Sequence, residues 1–287
     1  MMEGEDNSRT RKIFDVDVPW ITDIPTHQIP CLLCGRRDIR PLNTFRLNNQ
    51  RFFTVRCQAD GMMWLDPQPT EAFYRRLYAG HYHTANDEDS LFEQGTLDVH
   101  SDEEGLQRAA VLRLDEIEGF VPVGSFLEVG FGSGHTLQEA QRRGWDVFGI
   151  ELAQTCVDAM VGRSIAATCA ELPSYDAPDQ SFDIIGMYSV IEHTHDPAAY
   201  LRRAHALLKP GGLLVLRLPN TGSEGPPASL LAHLYHFNST TIIELLRRCQ
   251  FDVLQVGAFS LWKPAKYPGE LWNMNVISRR AEGRPQE

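Results

Sequence analysis

The pattern of apolar and polar positions changes character near residue 124. From Ser125 onward, short apolar runs typical of buried strands alternate with amphipathic segments of helical period. This alternation predicts a mostly parallel sheet covered by helices on both faces, an α/β fold. The last two predicted strands are joined by a helix-free loop, so we expect the final strand to run antiparallel. The predicted strands are 125–129, 146–150, 164–168, 182–188, 212–218, 251–257 and 271–278, and the predicted helices are 133–143, 153–161, 196–208 and 239–249.

The N-terminal part of the chain divides into three by its pattern. The first part has mixed charge, several prolines and no sustained period, which indicates a loosely attached arm. The second alternates over residues 42–56, which predicts a short hairpin. The third has helical period over 71–83 and 103–118, with eight acids and no Lys or Arg between Leu77 and Gln107, which we interpret as a solvated segment. The predicted parts are a flexible N-terminal arm (1–28), a small cysteine-containing module (29–70), a helical linker or lid (71–123) and the main α/β domain (124–280).

Three of the six cysteines have a spacing that is typical of metal ligands. Cys31 and Cys34 form a C-x2-C turn, and Cys57 opens a second turn in which Asp60 occupies the fourth position. Two such turns about 25 residues apart are the arrangement of a zinc ribbon, whose four ligands surround the ion tetrahedrally. An aspartate oxygen can ligate zinc, so one interpretation is a zinc site made of Cys31, Cys34, Cys57 and Asp60. The other is a degenerate ribbon that binds no metal and is held by packing.

A glycine-rich turn follows the first strand of the α/β domain. Glu128 lies in the strand, Gly130, Gly132 and Gly134 alternate behind it, and an amphipathic segment follows. Strand, tight turn and helix in this order are typical of a nucleotide-binding βαβ unit. A dinucleotide-binding turn requires a third glycine where this chain has His135, and the Glu128 carboxylate would repel a pyrophosphate. The same carboxylate suits a cationic ligand through charge-assisted hydrogen bonds.

The segment from Glu128 to Gly134, E-V-G-F-G-S-G, resembles the E/D-x-G-x-G-x-G signature of class I S-adenosylmethionine (SAM)-dependent methyltransferases. The resemblance implies a Rossmann-like, doubly wound, mostly parallel sheet of the seven predicted strands with an antiparallel last strand. It also implies SAM, which carries an ammonium and a sulfonium but no phosphate, as the cofactor and methyl transfer as the activity. Two other functions stay open: a non-catalytic SAM-binding or interaction protein and an NAD-dependent oxidoreductase.

Further acids follow the second and third predicted strands. Glu151 comes 23 residues after Glu128, where a carboxylate can accept hydrogen bonds from both ribose hydroxyls. Alternatively, it is an exposed acid that opens the next helix. After the third strand, the resemblance implies that Glu171 or the backbone of Ala170 contacts the adenine amine. The implied cofactor site consists of Glu128, Gly130, Gly132, Gly134, Glu151, Leu152, Ala170 and Glu171.

The fourth predicted strand leads into a histidine-containing segment. It ends at Tyr188 and continues through Glu192, His193, Asp196 and Pro197, a stretch that resembles the family's F-D-x8-E-H-x-x-D-P pattern. The resemblance implies that Tyr188 and His193 lie where methyl donor and acceptor meet, and we predict both as catalytic residues. Histidine suits a general base because its unperturbed pKa lies near the working pH. The alternative is that His193 only braces the loop.

The neighbouring histidines raise two further expectations. Glu192, His193 and His195 together could suggest a metal site, but we interpret this cluster as loop packing. The loop after the fifth strand is rich in Gly, Pro and His, including His233 and His236. Its length and composition predict a lid on the acceptor side of the site.

Residues 31–83 resemble the N-terminal region of sugar C-methyltransferases. The two cysteine turns are followed by G-M-M-W-L-D-P-Q-P-T from Gly61 to Thr70, and then by a segment that contains Tyr74 and Tyr78. In that family, a pair of zinc-binding turns precedes a similar proline-containing segment and a tyrosine-rich helix. The resemblance implies a small biosynthetic metabolite as the methyl acceptor, a sugar or a related compound. We expect no counterpart of the further C-terminal domain that those sugar enzymes carry.

The overall charge argues against a polyanionic partner. The net charge is −11 with a pI near 5.4, and no dense Lys/Arg cluster appears, so we expect no nucleic-acid partner. No apolar run approaches the roughly 20 residues of a membrane-spanning helix, and the polar N-terminus lacks a secretory apolar region. We therefore expect a cytoplasmic protein that acts on a small molecule and enters no membrane. Neither the methylated atom nor the oligomeric state follows from the sequence.

Overall fold

Short strands make up the N-terminal part of the protein. The computed structural model describes residues 15–16, 23–47, 50–80, 103–221, 233–259 and 273–281. The first strands are β1 (Asp15–Val16), β2 (Thr26–His27), β3 (Ile39–Leu47), β4 (Gln50–Cys57), β5 (Met63–Asp66) and β6 (Gln68–Pro69). The expected hairpin is formed by β3 and β4, with Ile39 opposite Cys57, and β5 pairs with β4 on its other side.

Two helices connect these strands to the main domain. They are α1 (Glu71–Gly80) and α2 (Glu103–Glu118), close to the predicted 71–83 and 103–118. In α2 the buried positions include Ala110, Leu114 and Ile117, which recur at the spacing of one helix face. That face packs on the sheet and fixes the position of the helix.

One sheet forms the centre of the main domain. The later strands are β7 (Ser125–Val129), β8 (Asp146–Glu151), β9 (Ala166–Cys169), β10 (Phe182–Tyr188), β11 (Leu208–Pro219), β12 (Tyr235–His236), β13 (Phe251–Phe259) and β14 (Asn273–Arg280). All except β12 form a seven-stranded sheet in the order β13-β14-β11-β10-β7-β8-β9. Strand β14 is antiparallel to β11 and β13, and the other neighbouring pairs are parallel. The predicted α/β fold with an antiparallel last strand is confirmed.

The helices described in this domain are α3 (His135–Arg142), α4 (Gln154–Val161), α5 (Pro197–Leu207) and α6 (Ser239–Arg248). The last two begin at residues whose side chains cap them. At α5 the Asp196 carboxylate accepts a hydrogen bond from the Ala199 N–H, and a proline follows the cap. At α6, Asn238 and Thr241 form a reciprocal capping box. Each such cap stabilises its helix by about 1 kcal/mol.

The N-terminal strands share a hydrophobic core with the main sheet. Buried side chains run without a break from Phe52 and Trp64 in the N-terminal part to Leu127 and Leu214 in the central strands. The predicted boundary after residue 70 therefore does not separate two cores. The burial of this common surface holds the N-terminal part against the domain.

A later segment of the chain joins the N-terminal sheet as well. Strand β12 pairs antiparallel with β5, with Tyr235 opposite Trp64, and extends the order to β1-β3-β4-β5-β12. The Leu234 carbonyl accepts from the Leu65 N–H at 3.0 Å and from Gln68 Nε2 at 3.1 Å. Residues 234–236 are thus fixed to the N-terminal part by backbone hydrogen bonds and by the Gln68 side chain.

The interpretation of residues 1–28 as a loose arm is wrong for Ile24–His27. Ile24 is 2% exposed, and its backbone exchanges two hydrogen bonds with the Gln50 side chain, at 3.3 and 2.9 Å. Strand β2 pairs with β6 next to it. The sequence missed this packing because the segment is short and has no period.

Two predictions fall partly outside the described residues. The acidic segment lies largely within 81–102 and the predicted acceptor-side lid largely within 222–232. In the ranges that the structure does describe, none of the helices has the length and apolar character needed to cross a bilayer.

Candidate functional site

A cavity of about 450 Å³ opens at the carboxyl ends of the central strands. Strands β7, β8 and β10 end there, where the strand order reverses and where open α/β sheets bind ligands. The predicted site residues that line it are Glu128, Gly130, Gly132, Glu151, Leu152, Ala170, Glu171, Tyr188 and His193. Residues from separate predicted motifs therefore meet at one cavity.

The glycine turn has a backbone that favours glycine. Gly130, Gly132 and Gly134 have φ values of 69°, 51° and 73°, in the left-handed region. A Cβ on Gly132 would meet no atom within 4 Å, so the turn leaves space at this point. Gly134 does not belong to the cavity lining, and a Cβ there would lie 2.2 Å from Met160 Sδ. Its predicted cofactor contact is thus corrected to a packing role against α4.

Glu128 is a buried carboxylate in the cavity wall. It is 2% exposed, and within the described part of the chain its Oε2 has no hydrogen-bond partner. Burial raises the pKa of Glu128 to about 7, although the Arg113 guanidinium and the Thr136 hydroxyl oppose the rise. A buried acceptor without a partner suits a ligand that brings a donor or a positive charge.

Glu151 is held by three backbone N–H groups at the end of β8. Leu152 and Ala153 donate to its Oε1 at 2.6 and 3.2 Å, and Gly132 donates to Oε2 at 3.0 Å. The residue is 8% exposed, so the alternative of an exposed acid is wrong. A carboxylate offers about four acceptor positions, which leaves one on Oε2 for a hydroxyl. The sequence suggested that the Glu151 carboxylate accepts hydrogen bonds from both ribose hydroxyls. In the structure its two oxygens are not equally open, because Oε1 already accepts two backbone hydrogen bonds and Oε2 accepts one.

The cavity also contains an arginine that the sequence analysis missed. Arg113 on α2 donates from Nη1 to Thr136 Oγ1 at 2.7 Å, and both residues line the cavity. The signal was present, because Arg113 lies seven residues after Leu106 and four before Ile117, on the apolar stripe of its helix. A charge on such a stripe indicates a buried partner or ligand.

Helix α1, which lies in the predicted helical linker or lid, reaches the cavity too. Glu71, Tyr74 and Arg75 belong to the cavity lining. Arg75 Nη2 lies 3.3 Å from Glu171 Oε2, across the cavity end where the adenine contact was predicted. The pair is largely exposed on the arginine side and adds little to stability. The N-terminal part thus contributes directly to the wall of the site.

The two residues predicted to be catalytic have different surroundings. His193 lies in the single-turn 3-10 helix Ile191–His193, at the cavity edge, with a side chain 13% exposed. The Tyr188 ring packs beneath Arg113, whose Cζ is 4.1 Å from the ring centroid. Among the described residues the Tyr188 hydroxyl has no hydrogen-bond partner, and burial raises its pKa well above the usual range. These surroundings favour a packing role for Tyr188.

A group of ionisable side chains borders on His193. Its Nε2 lies 3.8 Å from Glu192 Oε1, and its ring centroid lies 4.8 Å from that of His233. One possible ligand atom from each of the three residues lies within 4.8 Å of the others. His195, which the sequence grouped with Glu192 and His193, is instead bonded through Nε2 to the Pro69 carbonyl at 2.9 Å. Loop packing therefore describes His195, and His233 takes its place in the cluster.

The four predicted zinc ligands lie together in the N-terminal part. Cys31 Sγ donates to Asp60 Oδ2 at 3.2 Å, and the sulfurs of Cys34 and Cys57 are 3.5 Å apart. All four ligand atoms lie within 4.8 Å of one another. Asp60 Oδ1 also accepts from the Met62 N–H at 2.9 Å, which orients the carboxylate. The number and type of donors fit a tetrahedral zinc ion.

The cavity fits SAM in the chemistry of its lining. Gly132 leaves space for close approach of a ligand to the backbone, and Glu128 provides a buried acceptor without a partner for a cationic group. Glu151 retains an acceptor position beside the turn. Glu128 and Glu151, which both line this wall, would repel a pyrophosphate, which disfavours a dinucleotide.

Comparison with known families gives one match over more than half of the chain. Residues 101–256 match a family model described as a methyltransferase domain. This range begins near the start of α2 and ends within β13, and it contains the glycine turn, Glu151 and His193.

Curated relatives match over part of their length. The chain is similar to the ubiquinone biosynthesis O-methyltransferase of Pseudomonas paraeruginosa, with 30% identity over 134 residues, 44% of this chain and 55% of the relative. The enzyme of that name from a Bradyrhizobium species is 35% identical over 100 residues, 33% of this chain and 39% of the relative. The chain thus spans about half or less of these relatives.

Solved structures share the fold at low sequence identity. The 1,6-didemethyltoxoflavin-N1-methyltransferase of Burkholderia thailandensis, solved with S-adenosylhomocysteine, has a TM-score of 0.57 and 20% identity over 80% of this chain and 96% of its own. A possible histamine N-methyltransferase of Thermotoga maritima has a TM-score of 0.51 and 19% identity over 66% of this chain and 98% of its own. Since the family model matches more than half of the chain, the chain belongs to the methyltransferase-domain family, and its sheet has the topology of the class I SAM-dependent methyltransferase fold.

Proposed function

We propose that this enzyme transfers the methyl group of SAM to a small biosynthetic metabolite. The observation that carries the proposal is the single cavity, with Glu128, Gly132 and Glu151 at one end and His193 at its edge. Names of similar proteins support a small acceptor, since one relative acts in ubiquinone biosynthesis and one fold neighbour methylates 1,6-didemethyltoxoflavin. The resemblance of residues 31–83 to sugar C-methyltransferases keeps a sugar or related compound among the candidates.

At the donor end, each cavity residue has a proposed contact. Glu151 accepts a ribose hydroxyl, Glu128 faces the ammonium group, and Leu152, Ala170 and Glu171 surround the adenine. SAM supplies a methyl carbon on a sulfonium that is already a good leaving group. The residues of this chain therefore act mainly by holding the reactants in the correct orientation.

At the acceptor end, we retain His193 as the proposed catalytic residue. It lies at the cavity edge beyond the glycine turn and comes from the loop that follows β10. As a general base, His193 would take a proton from the acceptor; as a metal ligand, it would hold an ion that binds the acceptor. Tyr188 is not retained, because its hydroxyl is buried beneath Arg113.

The proposal is tested by binding and product formation. Calorimetric titration of SAM into the full-length protein should show one site per chain, and isotope-labelled SAM should label a product from a library of small hydroxyl and amine metabolites. Absence of heat at about 1 mM SAM, a concentration that reveals even weak complexes, would contradict the proposal. Glu244→Gln, which changes an exposed acid on α6, is the control and should leave SAM binding unchanged.

We also propose that Cys31, Cys34, Cys57 and Asp60 bind zinc. The convergence of the four ligand atoms supports it, and zinc bound there would stabilise the N-terminal turns. Elemental analysis should find about one zinc per chain, and Cys34→Ser should lose it. The matched control is Cys169→Ser, which changes an exposed cysteine outside the cluster. Protein that never contains zinc, with wild type and Cys34→Ser melting alike, would support the degenerate ribbon.

A further inference from the structure

A buried carboxylate without a hydrogen-bond partner lies beside the acceptor end of the cavity. Glu192 is 1% exposed, and neither of its carboxylate oxygens has such a partner in the part of the chain that the structure describes. His193 Nε2, at 3.8 Å from Oε1, is beyond hydrogen-bond distance. The guanidinium of Arg217 acts on Glu192 through its charge. Buried carboxylates are normally paired or bound to a cation, so this one calls for an explanation.

Two imidazoles lie next to this carboxylate. The rings of His193 and His233 are 4.8 Å apart at an angle of 70°, and a nitrogen of each lies within 4.8 Å of a Glu192 oxygen. Two imidazoles and one carboxylate are a donor set typical of zinc, manganese and iron in the divalent state. The thiolate cluster of the N-terminal part is a different set on a different element.

The backbone fixes the three residues relative to one another. The Leu234 N–H donates to the Glu192 carbonyl at 2.9 Å, directly beside His233. The pairing of β12 with β5 holds the same segment from its other side. The three side chains are thus brought together by main-chain hydrogen bonds and not by a flexible loop, which is how a site with fixed ligand positions is built.

We propose that Glu192, His193 and His233 bind a divalent metal ion at the acceptor end of the cavity. Three protein ligands leave further coordination positions, and His193 lines the cavity, so an oxygen atom of the acceptor can occupy one of them. The proposal that these three residues bind a metal ion rests on their local geometry alone. The proposal that the bound ion takes part in the reaction rests also on the proposed function.

Manganese is the probe that tests the site. Full-length protein, freed of metal with a chelator, is titrated with Mn²⁺, and the loss of the free-ion electron paramagnetic resonance signal is measured. Wild type should bind about one Mn²⁺ per chain, because oxygen and imidazole ligands suit this ion and thiolates do not. Glu192→Gln and His233→Gln should each weaken binding by at least about tenfold.

The matched control is His236→Gln on β12. Its ring is 6.1 Å from that of His233, and it is not part of the three-residue set, so Mn²⁺ binding should change by less than about threefold. Circular dichroism and melting curves show which variants are folded. If Glu192→Gln fails to fold, His233→Gln decides the question, since its backbone contacts are unchanged.

Two results would overturn the metal site. One is a wild-type protein that binds neither Mn²⁺ nor Co²⁺ outside the thiolate cluster, whose Co²⁺ complex is recognised by its sulfur charge-transfer band. The other is Mn²⁺ binding that survives both Glu192→Gln and His233→Gln. SAM titrations of the same samples separate this from the proposed function: retained SAM binding with no metal overturns only the metal site, and metal without SAM binding overturns only the function.

Discussion

The two ends of the cavity are built in different ways. The proposed donor end lies mainly along one stretch of chain, from Glu128 to Glu171, and is completed by Arg75 and Arg113 from α1 and α2. The proposed acceptor end combines His193 with His233, which lies next to the strand that pairs with the N-terminal sheet. The chemistry of the donor can therefore be read from local motifs, whereas that of the acceptor depends on contacts between distant segments.

The largest expected effect is a loss of turnover when the acceptor end alone is changed. His193→Ala should lower turnover by about 10²- to 10⁴-fold, the usual contribution of a residue that acts directly on the reacting group. SAM affinity, measured by calorimetry, should change by less than about threefold. His205→Ala is the control, since His205, which lies on α5, packs against Phe251 of β13. Equal turnover of wild type and His193→Ala would assign His193 to loop packing.

A substitution of Glu151 should weaken the binding of SAM at the donor end. Glu151→Ala removes the acceptor for a ribose hydroxyl and the anchor of three backbone N–H groups, so the dissociation constant of SAM should rise about 100-fold. Calorimetry measures this, and a melting curve confirms that the variant is folded. Glu171→Gln, at the more exposed adenine end, should raise the dissociation constant of SAM by a smaller factor. A SAM affinity that is the same in Glu151→Ala would disprove the ribose contact.

Arg113 tests whether the donor end depends on residues outside the stretch from Glu128 to Glu171, because it lines the cavity but comes from α2. Arg113→Met keeps an apolar stem over the Tyr188 ring and removes the charge beside Glu128. We expect SAM affinity to fall about 30-fold, because we propose that Arg113 donates a charge-assisted hydrogen bond to the carboxylate of SAM. Arg113→Lys should recover part of it. If both variants bind SAM like wild type, Arg113 serves only to pack α2.

The smallest effect is a pH dependence of the donor end. Only ionised Glu128 attracts the SAM ammonium, and with a pKa of about 7 it is mostly protonated at lower pH. SAM affinity should therefore fall about tenfold from pH 8 to pH 6, as the ionised fraction does. In Glu128→Gln the affinity should be lower and its slope over this range absent. A slope that persists in Glu128→Gln would assign the titration to another group.

The same group affects the stability of the ligand-free protein with a defined sign. The pKa of Glu128 is raised from 4.5 to about 7 on folding, so between these values the folded state holds a proton that the unfolded chain releases. Its contribution to stability is greatest below pH 4.5, is lost as the pH rises to about 7 and is constant above that. Comparison of melting curves of wild type and Glu128→Gln across this range isolates it.

The sheet and the glycine turn were predictable because their signals are local. Alternating apolar runs gave every strand of the main sheet, and the spacing of Glu128, the glycines and Glu151 placed the turn. Gly134 was misread because the sequence cannot show which side of the turn faces the ligand and which faces Met160. The role of Tyr188 was misread for a similar reason, since a strand end gives position but not the direction of burial.

The acceptor end could not be read in this way. The two-residue strand β12 has no sequence period, and its pairing with β5 joins segments about 170 positions apart, Trp64 and Tyr235 among them. Without that pairing, His195 was the nearest histidine in the sequence after His193, and His233 was assigned to a lid. Arg113 is different, because a charge on an apolar stripe was visible and was not used.

The pairing of β12 with β5 has a consequence for protein engineering. A chimera that exchanges the first 70 residues for those of another enzyme also replaces the strand along which Tyr235 aligns. Such an exchange would shift residues near the methyl acceptor while leaving the SAM-binding motifs intact. Substrate preference and N-terminal ancestry should therefore be inherited together in this protein.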